Sequence, residues 1–303
     1  MEIRQRQYSG EADKLAMISL AQLAPADHVH VVDLPYRLSS WALGDPGNAG
    51  LWVDVEGQLL AWAVMQAPFW TIDYALRPDA GDTLHRQVLA WADHRARALC
   101  DTAYGHPCWF VVVFAGQADR IRDLEDAGFA CQADVEQDPW SKVLMERLAR
   151  LPVADQPLPA NLRIRPLAGE KEVDAYVALH RAVFESKNMT AGWRRRTLRG
   201  PEYLADLDLV AEAPDGRLVA FCVCWLSEGL GPAGQIEPLG VHTDYRSLGV
   251  GRAILSEGLR RLYLHGAARV YVETDKYRNA ALQVYEAAGF RTTQDVLVFR
   301  KDY

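Results

Sequence analysis

Apolar residues along this chain follow two spacings, which alternate in a fixed order. Runs in which every second residue is apolar predict strands, and runs with apolar residues three or four positions apart predict amphipathic helices. Helices are predicted at 14–23 and 84–99 in the first half and at 173–184 and 253–264 in the second. Each half therefore has the predicted order β-α-β-β-β-α-β-α-β.

Short segments of the first half recur in the second half at a nearly constant distance. The segment that begins at Arg6 resembles the one that begins at Arg165, and the hairpin turn at Gly57 resembles the turn at Gly216, so the offset is 159 residues at both places. Later matches keep their order and lie at an offset of 161 residues. An offset that is maintained across separate segments predicts one fold used twice.

A proline-rich stretch lies between the two copies. Residues 151–160 contain three prolines, and proline removes backbone donors and disfavours helix at the preceding residue. We therefore predict a first domain at 1–150, a linker at 151–160 and a second domain at 161–303. Two domains of about 150 residues suit a chain of this length.

The composition excludes several classes of protein. The net charge of −7 does not favour a nucleic-acid partner, and the basic run 194–196 is interpreted as a solvated helix face, with substrate or cofactor contact as the second interpretation. No apolar run approaches the roughly 20 residues that span a bilayer, and the N-terminus has no signal core. We expect no membrane association, and nothing in the sequence indicates an oligomer.

The cysteines indicate neither a metal site nor a disulfide framework. Their number is five, which is odd, and no C-x-x-C pair occurs. Cys222 and Cys224 alternate in an apolar run, so we interpret them as small apolar residues on one face of a strand. This cysteine usage favours a reducing cytoplasm, and we expect no metal.

The candidate chemistry lies in the stretch 237–252. An apolar strand is followed by a turn with Gly249 and Gly251 and then by a predicted helix, and Arg246 and Arg252 flank the turn. A glycine-bearing turn before a helix N-terminus forms an anion site, because free N–H groups and the positive end of the helix dipole point outward. A flexible helix entry without a ligand is the alternative interpretation of this spacing.

Two motifs in order resemble those of the GNAT superfamily of N-acetyltransferases. Arg246-Ser247-Leu248-Gly249-Val250-Gly251 matches its Gln/Arg-x-x-Gly-x-Gly/Ala signature, and 279–290 contains an asparagine, a tyrosine six residues later and then Gly-Phe. The resemblance covers about 160–303 and implies an α+β fold with a mostly antiparallel mixed sheet flanked by helices. Since the first half repeats the same order, we expect two such folds in tandem, one active and one degenerate.

The resemblance also implies acetyl-CoA as the co-substrate. Its pyrophosphate is expected on the N–H groups of residues 247–252, and its pantetheine arm is expected beside the strand that ends at Val241, where Gly240 would allow close approach. The residues expected to bind it are Leu239, Gly240, Val241, Arg246, Ser247, Leu248, Gly249, Val250, Gly251, Arg252, Asn279 and Tyr285.

Acetyl transfer to a small-molecule amine needs a general acid and a general base. At the motif position of the family, Tyr285 would protonate the leaving sulfur, although packing in the core is the alternative role for a helix aromatic. Strict alternation would place Gln235, Glu237, Leu239 and Val241 on one face of the strand and Ile236 and Pro238 on the other. Glu237 is therefore the candidate base, acting directly or through a water.

Other polar residues of the second half have less defined roles. Glu273 and Asp275 end the next predicted strand and are reserve candidates for the base, and His242 is expected to be structural or exposed. The segment 184–203 lies where the family shapes its acceptor site. Its polar and aromatic residues do not identify the acceptor, since core packing explains Trp193 equally well.

The first half lacks the motif residues. Residues 80–86 contain one glycine where the motif has two, and Asp82 would repel a phosphate. Leu124 occupies the position that corresponds to Tyr285, and Ala118 or Asp119 occupies the position that corresponds to Asn279. We expect this half to bind acetyl-CoA poorly and not to catalyse. For the whole chain, a non-catalytic acyl-CoA sensor and a protein-lysine or N-terminal acetyltransferase are the alternatives to a small-molecule acetyltransferase.

Overall fold

The computed structural model describes residues 2–153, 156–159, 161–227 and 231–303, without the side chain of Asp82. Of the predicted linker 151–160, Ala154, Asp155 and Ala160 lie outside the described residues. The chain forms two compact units. The first comprises Met1–Val143, Asp275–Tyr277 and Gln294–Tyr303, and the second comprises Leu144–Thr274 and Arg278–Thr293.

Strands and helices of the first half follow the predicted order, with one additional short helix after the first and one additional two-residue strand before the last. They are β1 (Arg4–Gln7), α1 (Glu11–Ala21), α2 (Leu34–Leu38), β2 (Ala49–Val53), β3 (Leu59–Gln66), β4 (Thr71–Leu76), α3 (Asp82–Leu99), β5 (Cys108–Phe114), α4 (Ala118–Asp126), β6 (Ala130–Cys131) and β7 (Ser141–Leu148).

The second half repeats this order and also has an additional helix after the first. Its elements are β8 (Arg163–Pro166), α5 (Val173–Phe184), α6 (Ala191–Arg199), β9 (Asp208–Glu212), β10 (Leu218–Ser227), β11 (Ala233–Val241), α7 (Val250–Leu264), β12 (Arg269–Asp275), α8 (Asn279–Ala287) and β13 (Arg291–Asp302). The order β-α-β-β-β-α-β-α-β is thus confirmed in both halves.

In the first unit the strand order is β1-β2-β3-β4-β5-β13. The pairs are antiparallel except β4 and β5, which are parallel and pair at Thr71 and Phe110. Alternate residues of β3 face opposite sides: Ala63 packs in a buried cluster with α3, and Trp62 packs in one with α1 and α2. The sheet is therefore covered by helices on both faces.

The second unit has the strand order β7-β12-β11-β10-β9-β8. Here β11 and β12 are parallel, whereas β8, β9, β10 and β11 pair antiparallel. The prediction of an α+β fold with a mostly antiparallel mixed sheet and flanking helices is confirmed. Both predicted hairpin turns also form, with φ of +84° at Gly57 and +83° at Gly216, values that favour glycine.

The compact units are not continuous in sequence. Leu144–Thr274 includes most of β7, which comes from the first repeat, and Gln294–Tyr303 of β13 belongs to the first unit. Each repeat thus gives its last strand to the other unit. The predicted domain limits, 1–150 and 161–303, describe the repeats and stay a prediction, while the units describe which residues pack together.

Within the described ranges no helix combines the length and apolar character needed to cross a membrane.

Candidate active site

Strands β11 and β12 pair over a short distance and then separate. Their parallel register runs from Ala233 opposite Arg269 to Gln235 opposite Tyr271 and ends there. On its other side β11 stays paired with β10 as far as Val241. Residues 236–241 of β11 therefore have an edge that β12 does not use, where an extended chain can add main-chain hydrogen bonds.

A bulge in β11 changes the sheet face on which some of its side chains lie, compared with the faces that strict alternation predicts. Leu239 lies opposite Cys222 and Ile236 opposite Cys224, so Glu237 and Pro238 together lie opposite one residue of β10. The Sγ atoms of Cys222 and Cys224 are 3.7 Å apart on one face, and Ile236 shares that face with Leu239.

Strict alternation was therefore wrong for two residues of β11. Gln235 lies opposite Trp225 and is on the other face from Leu239, because the extra residue of the bulge reverses the alternation. The prediction that Cys222 and Cys224 act as small apolar residues is confirmed, since both are buried free thiols on the face that meets α7.

The turn after β11 leads directly into α7. Ser247 and Gly249 have φ of +61° and +83°, and Gly249 is the residue before the first helical position. Among the residues that the structure describes, no side chain caps this helix end. The N–H groups of its first turn therefore remain for a ligand, and Ser247 to Gly249 are exposed. Gly249 is needed for its positive φ, while a Cβ on Gly251 would lie 3.3 Å from Val241 Cγ2.

Side chains around the turn fix its shape. Arg246 donates from Nε to the Val241 carbonyl at 3.2 Å and from Nη2 to the Val183 carbonyl at 3.3 Å. His242 accepts from the Asp244 N–H through Nδ1 at 3.3 Å, which agrees with the structural role expected for it. The Arg246 charge is thus held beside the turn by backbone carbonyls.

Gly240 has a different packing role from the one predicted. A Cβ at this position would lie 2.5 Å from Phe221 Cζ and 2.6 Å from Val183 Cγ1. The absence of a side chain at Gly240 therefore leaves room for the core residues on the α5 side. That it also allows close approach of a pantetheine arm stays a prediction.

Tyr285 lies on α8 with 9% of its surface exposed and packs edge-to-face on Phe290, with ring centroids 5.7 Å apart. Burial raises the pKa of its phenol, and the charges of Glu237, Cys222 and Glu273 raise this pKa further. The Glu237 charge thus acts on Tyr285, the other proposed catalytic residue. The Tyr285 phenol keeps its proton at neutral pH.

The remaining candidates differ in their surroundings. Glu273 is partly buried, and its charge acts on Tyr285. Asp275 belongs to the first unit, where it accepts from Trp140 Nε1 at 2.8 Å and lies 3.6 Å from Lys142 Nζ. Asn279 is exposed at the first position of α8. Glu273 is thus a better reserve base than Asp275, because the Asp275 carboxylate is already engaged.

The basic run 194–196 is not a uniformly solvated helix face. Arg194 is fully buried, donates to Asp208 and lies 3.7 Å from the centroid of the Tyr176 ring. Tyr203 also donates to Asp208, at 2.7 Å. The interpretation of a solvated face was wrong for Arg194, because the helical spacing that buries Trp193 and Thr197 buries Arg194 with them.

Sequence reasoning also missed two buried groups on α5. Tyr176 is fully buried. Burial raises the pKa of its phenol, and the Glu237 charge also acts to raise this pKa. His180 stacks on Phe221 with ring centroids 5.5 Å apart. Burial, together with the Arg194 charge, lowers the pKa of His180 to about 3. The apolar period of α5 was the available signal, because both residues lie on its core face.

In the first unit the corresponding positions carry other residues. Leu124 is fully buried where the second unit has Tyr285, and Gly81 precedes α3 with φ of +75°. A buried chain joins Tyr74 Oη to His85 Nε2 at 3.1 Å and His85 Nδ1 to Asp123 at 2.7 Å. The side chain of Asp82, which was predicted to repel a phosphate, lies outside the described atoms.

Comparison with known proteins shows what the second half of the chain is similar to. Residues 174–290 match the acetyltransferase (GNAT) family. The chain is 37% identical over 159 residues to the mycothiol acetyltransferase of Kineococcus radiotolerans, which is 49% of this chain and 48% of that protein. It is 27% identical over 241 residues to that of Saccharomonospora viridis, which is 74% of this chain and 77% of that protein. The match spans about half the length of the first of these relatives.

Two solved structures, one of them a tandem GNAT protein, are similar to nearly the whole chain. A GCN5-related N-acetyltransferase from Sphaerobacter thermophilus gives a TM-score of 0.67 at 19% identity, over 99% of this chain and 95% of that one. A tandem GNAT protein from the clavulanic acid biosynthesis pathway gives 0.65 at 12% identity, over 99% and 98%. The predicted tandem GNAT fold is therefore confirmed for both halves.

The residues present fit acetyl-CoA. An open strand edge at 236–241 leads to the helix N-terminus at Val250, where the described residues include no side-chain cap. The pantetheine arm of acetyl-CoA would meet unused N–H groups of the strand, and its pyrophosphate would meet those of the helix. Among the described residues, no group of three His, Cys, Asp or Glu side chains is placed to hold a metal ion.

Proposed function

We propose that this protein is an N-acetyltransferase that moves an acetyl group from acetyl-CoA to a primary amine of a small molecule. The reaction takes place in the second domain, and the first domain is non-catalytic. The observation that carries the proposal is the open edge of β11 directly before the uncapped N-terminus of α7. The match of 174–290 to the GNAT family supports the same reaction class.

The binding residues follow from this arrangement. The N–H groups of 247–252 hold the pyrophosphate, with Arg246 and Arg252 adding positive charge. Leu239, Gly240 and Val241 offer the strand edge to the pantetheine arm, and Asn279 contacts that arm from the other side. When bound, acetyl-CoA supplies an acetyl group activated as a thioester.

Three groups of the protein act on the reaction. The backbone N–H near Leu239 polarises the acetyl carbonyl. Glu237 accepts a proton from the ammonium group, directly or through a water, so that the neutral nitrogen attacks the acetyl carbon. The nitrogen loses its second proton to solvent as the amide forms. Tyr285 donates its phenol proton to the sulfur as the C–S bond breaks, and its raised pKa keeps that proton available. Placing the amine in line with the acetyl group supplies much of the rate.

A small-molecule acceptor is favoured over a protein lysine. Relatives that are 37% and 30% identical over their matched segments carry the name mycothiol acetyltransferase, which refers to a small molecule.

Calorimetric titration with acetyl-CoA, followed by measurement of free thiol release against a panel of small amines and peptides, tests the proposal. We expect binding of acetyl-CoA and thiol release with at least one small amine. Binding without release for any acceptor would instead indicate an acyl-CoA sensor, and release with peptides alone would indicate a protein acetyltransferase. Absence of binding would contradict the proposal.

The role of Glu237 has its own test. Glu237→Gln should lower kcat/KM at neutral pH and approach the wild-type value at high pH, because there the acceptor amine is already neutral. Glu286→Gln, at an exposed position of α8, is the matched control. If the ratio of kcat/KM for Glu237→Gln to kcat/KM for the wild type stays constant across pH, the general base is another group.

A further inference from the structure

The carbonyl group of Glu237 is held by a side chain of the neighbouring strand. In the bulge of β11, the pairing with β10 passes from Ile236 directly to Leu239, and the pairing with β12 ends at Gln235. Glu237 therefore lies outside both registers. The indole Nε1 of Trp225 donates to the Glu237 carbonyl oxygen at 2.7 Å. The indole thus supplies a donor at the place where the bulge interrupts the ladder.

Trp225 is itself fixed in place. It lies on β10 opposite Gln235, and 3% of its surface is exposed. A buried indole N–H needs a hydrogen-bond partner, and a carbonyl that loses its donor inside the protein is destabilising. The bond to Glu237 therefore restrains the backbone of the bulge from a rigid, enclosed ring.

Two groups that are proposed to act on the reaction belong to this bulge. They are the Glu237 carboxylate, as the base, and the backbone N–H near Leu239, which polarises the acetyl carbonyl. A rotation of the peptide that follows Glu237 would displace both groups, because each is within two residues of the carbonyl that Trp225 holds. The Glu237 charge also acts on Tyr176 of α5 and on Tyr285 of α8. The orientation of this peptide therefore affects the proposed site on both sides of the strand.

We propose that Trp225 is a positioning residue for acetyl transfer, because its indole holds the bulge in the orientation that the reaction needs. The inference rests on the proposed function and assigns no chemical step to Trp225 itself. The indole acts through Glu237 and through the N–H groups that follow it. Displacing a reacting group by about 1 Å can lower a rate by about 100-fold, so a single bond to this backbone has a large effect.

Trp225→Phe removes the indole N–H and keeps an aromatic ring. We expect kcat to fall by about 10- to 100-fold. The Kd for acetyl-CoA should change much less, because the turn before α7 is not altered. Steady-state kinetics with an acceptor from the thiol-release panel and calorimetry measure the two quantities. A kcat equal to that of the wild type would overturn the proposal.

The first unit offers a matched control. Trp62 is also buried, and its Nε1 donates to the Met17 carbonyl at 2.9 Å. Trp62→Phe therefore removes the same kind of bond and should lose a similar amount of stability. It should keep its kcat, because the first domain is proposed to be non-catalytic. Equal losses of kcat in the two variants would reflect a general loss of stability and would contradict a positioning role.

The dependence on pH separates positioning from a loss of folded protein. A displaced base matters less at high pH, where the acceptor amine is already neutral. The ratio of kcat/KM for Trp225→Phe to kcat/KM for the wild type should therefore rise with pH. It should not reach one, because the N–H near Leu239 stays displaced. A smaller folded fraction would lower this ratio equally at each pH, and that result would refute the proposal.

Trp225→His returns an N–H group on a smaller ring. If the N–H is what matters, this variant should recover part of the kcat that Trp225→Phe loses. If packing alone matters, the histidine variant should be the less active of the two, because its ring is smaller and more polar. That order of activities would overturn the proposal.

Hydrogen exchange tests the bond without turnover and stays decisive if the variants do not fold. In the wild type, NMR should show that the indole N–H of Trp225 exchanges as slowly as that of Trp62, because both are buried and bonded to backbone carbonyls. Trp225→Phe should accelerate amide exchange in 236–241, whereas Trp62→Phe should not.

These measurements distinguish the two ways in which the proposal can fail. If the wild type releases no thiol with any acceptor, the proposed acetyl transfer is wrong, and the positioning role is wrong with it. If the wild type is active but the Trp225 indole exchanges fast, or exchange in 236–241 is the same in Trp225→Phe, the positioning role alone is wrong.

Discussion

At the scale of single residues, the site is governed by burial. Tyr285 is nearly enclosed, and both this burial and the Glu237 charge raise the pKa of its phenol. His180 is enclosed as well, and burial lowers the pKa of its imidazole to about 3. In each case the low-polarity surroundings favour the neutral form, which suits a proton donor in Tyr285 and a packing group in His180.

Tyr285→Phe removes the proposed acid without changing the size of the ring. We expect kcat to fall by about 10²–10⁴-fold, the usual contribution of a positioned acid, with little change in the Kd for acetyl-CoA. Tyr263→Phe, at an exposed position of α7, is the matched control. Steady-state kinetics and calorimetry measure the two quantities, and an unaltered kcat would remove the assignment.

His180 should make the second unit sensitive to acid. The pKa of the unfolded imidazole is about 6.5 and that of the folded one is about 3, so the unfolded state binds an extra proton between these values. Stability is therefore lost as pH falls below about 6.5, by about 3 kcal/mol at pH 4. His180→Phe should remove this loss, whereas His94→Phe, at an exposed site, should retain it. Denaturant unfolding at pH 7 and pH 4 measures the difference, and parallel losses in both variants would contradict the prediction.

At the scale of elements, the junction of β11 and α7 determines what the site can bind. The strand loses its pairing with β12 after Gln235, and the turn at Ser247 and Gly249 brings the backbone N–H groups of α7 outward. Gly249 can hold its φ of +83° without strain because it has no Cβ. The geometry of this backbone, more than any side chain, would form the proposed anion site.

Gly249→Val should abolish detectable binding of acetyl-CoA. A β-branched residue with this φ costs about 1–2 kcal/mol in the left-handed region, and the turn is expected to relax away from the binding geometry. Gly266→Val is a matched control at the other end of the same helix, where φ is +89° and a Cβ also has open space. It should cost similar stability but keep binding. Equal affinities of the two variants would show that the turn geometry is not needed.

At the scale of the whole molecule, each compact unit depends on a strand from the other repeat. Gln294–Tyr303 pairs with β5 in the first unit, at seven positions from Val296 opposite Phe114 to Asp302 opposite Cys108. Phe299 from this segment is fully buried in the cluster that contains α3. The last strand of the sequence therefore completes the core of the first unit.

Phe299→Ala should destabilise the first unit even though the residue lies near the C-terminus. We expect a loss of about 3–5 kcal/mol, the usual cost of deleting a buried phenyl ring, seen as faster amide exchange in β5. Arg300→Ala, an exposed neighbour on the same strand, should have little effect. Exchange that accelerates in β10 while β5 stays protected would contradict this assignment.

Local information in the sequence determined the elements and their repetition. Apolar periodicity placed α5 at 173–184 and the core of α3 and α7 within a few residues, because the face of an element is set by neighbours along the chain. The glycine turn before α7 and the motif tyrosine identified the candidate site for the same reason. The roles of Glu237, Tyr285 and the coenzyme-binding residues remain predictions.

Tertiary structure decided everything that depends on residues distant in sequence. The bulge opposite β10 reversed the face of Gln235, the packing of α6 on Tyr176 and Asp208 buried Arg194, and the exchange of last strands brought Arg147 beside α7. None of these follows from periodicity, because pairing register, burial of a charge and choice of partner strand depend on the total energy of packing. The sequence by itself thus determined which elements form and which turn is proposed to bind an anion. The fold determined which strand edge is open and which charged side chains are buried.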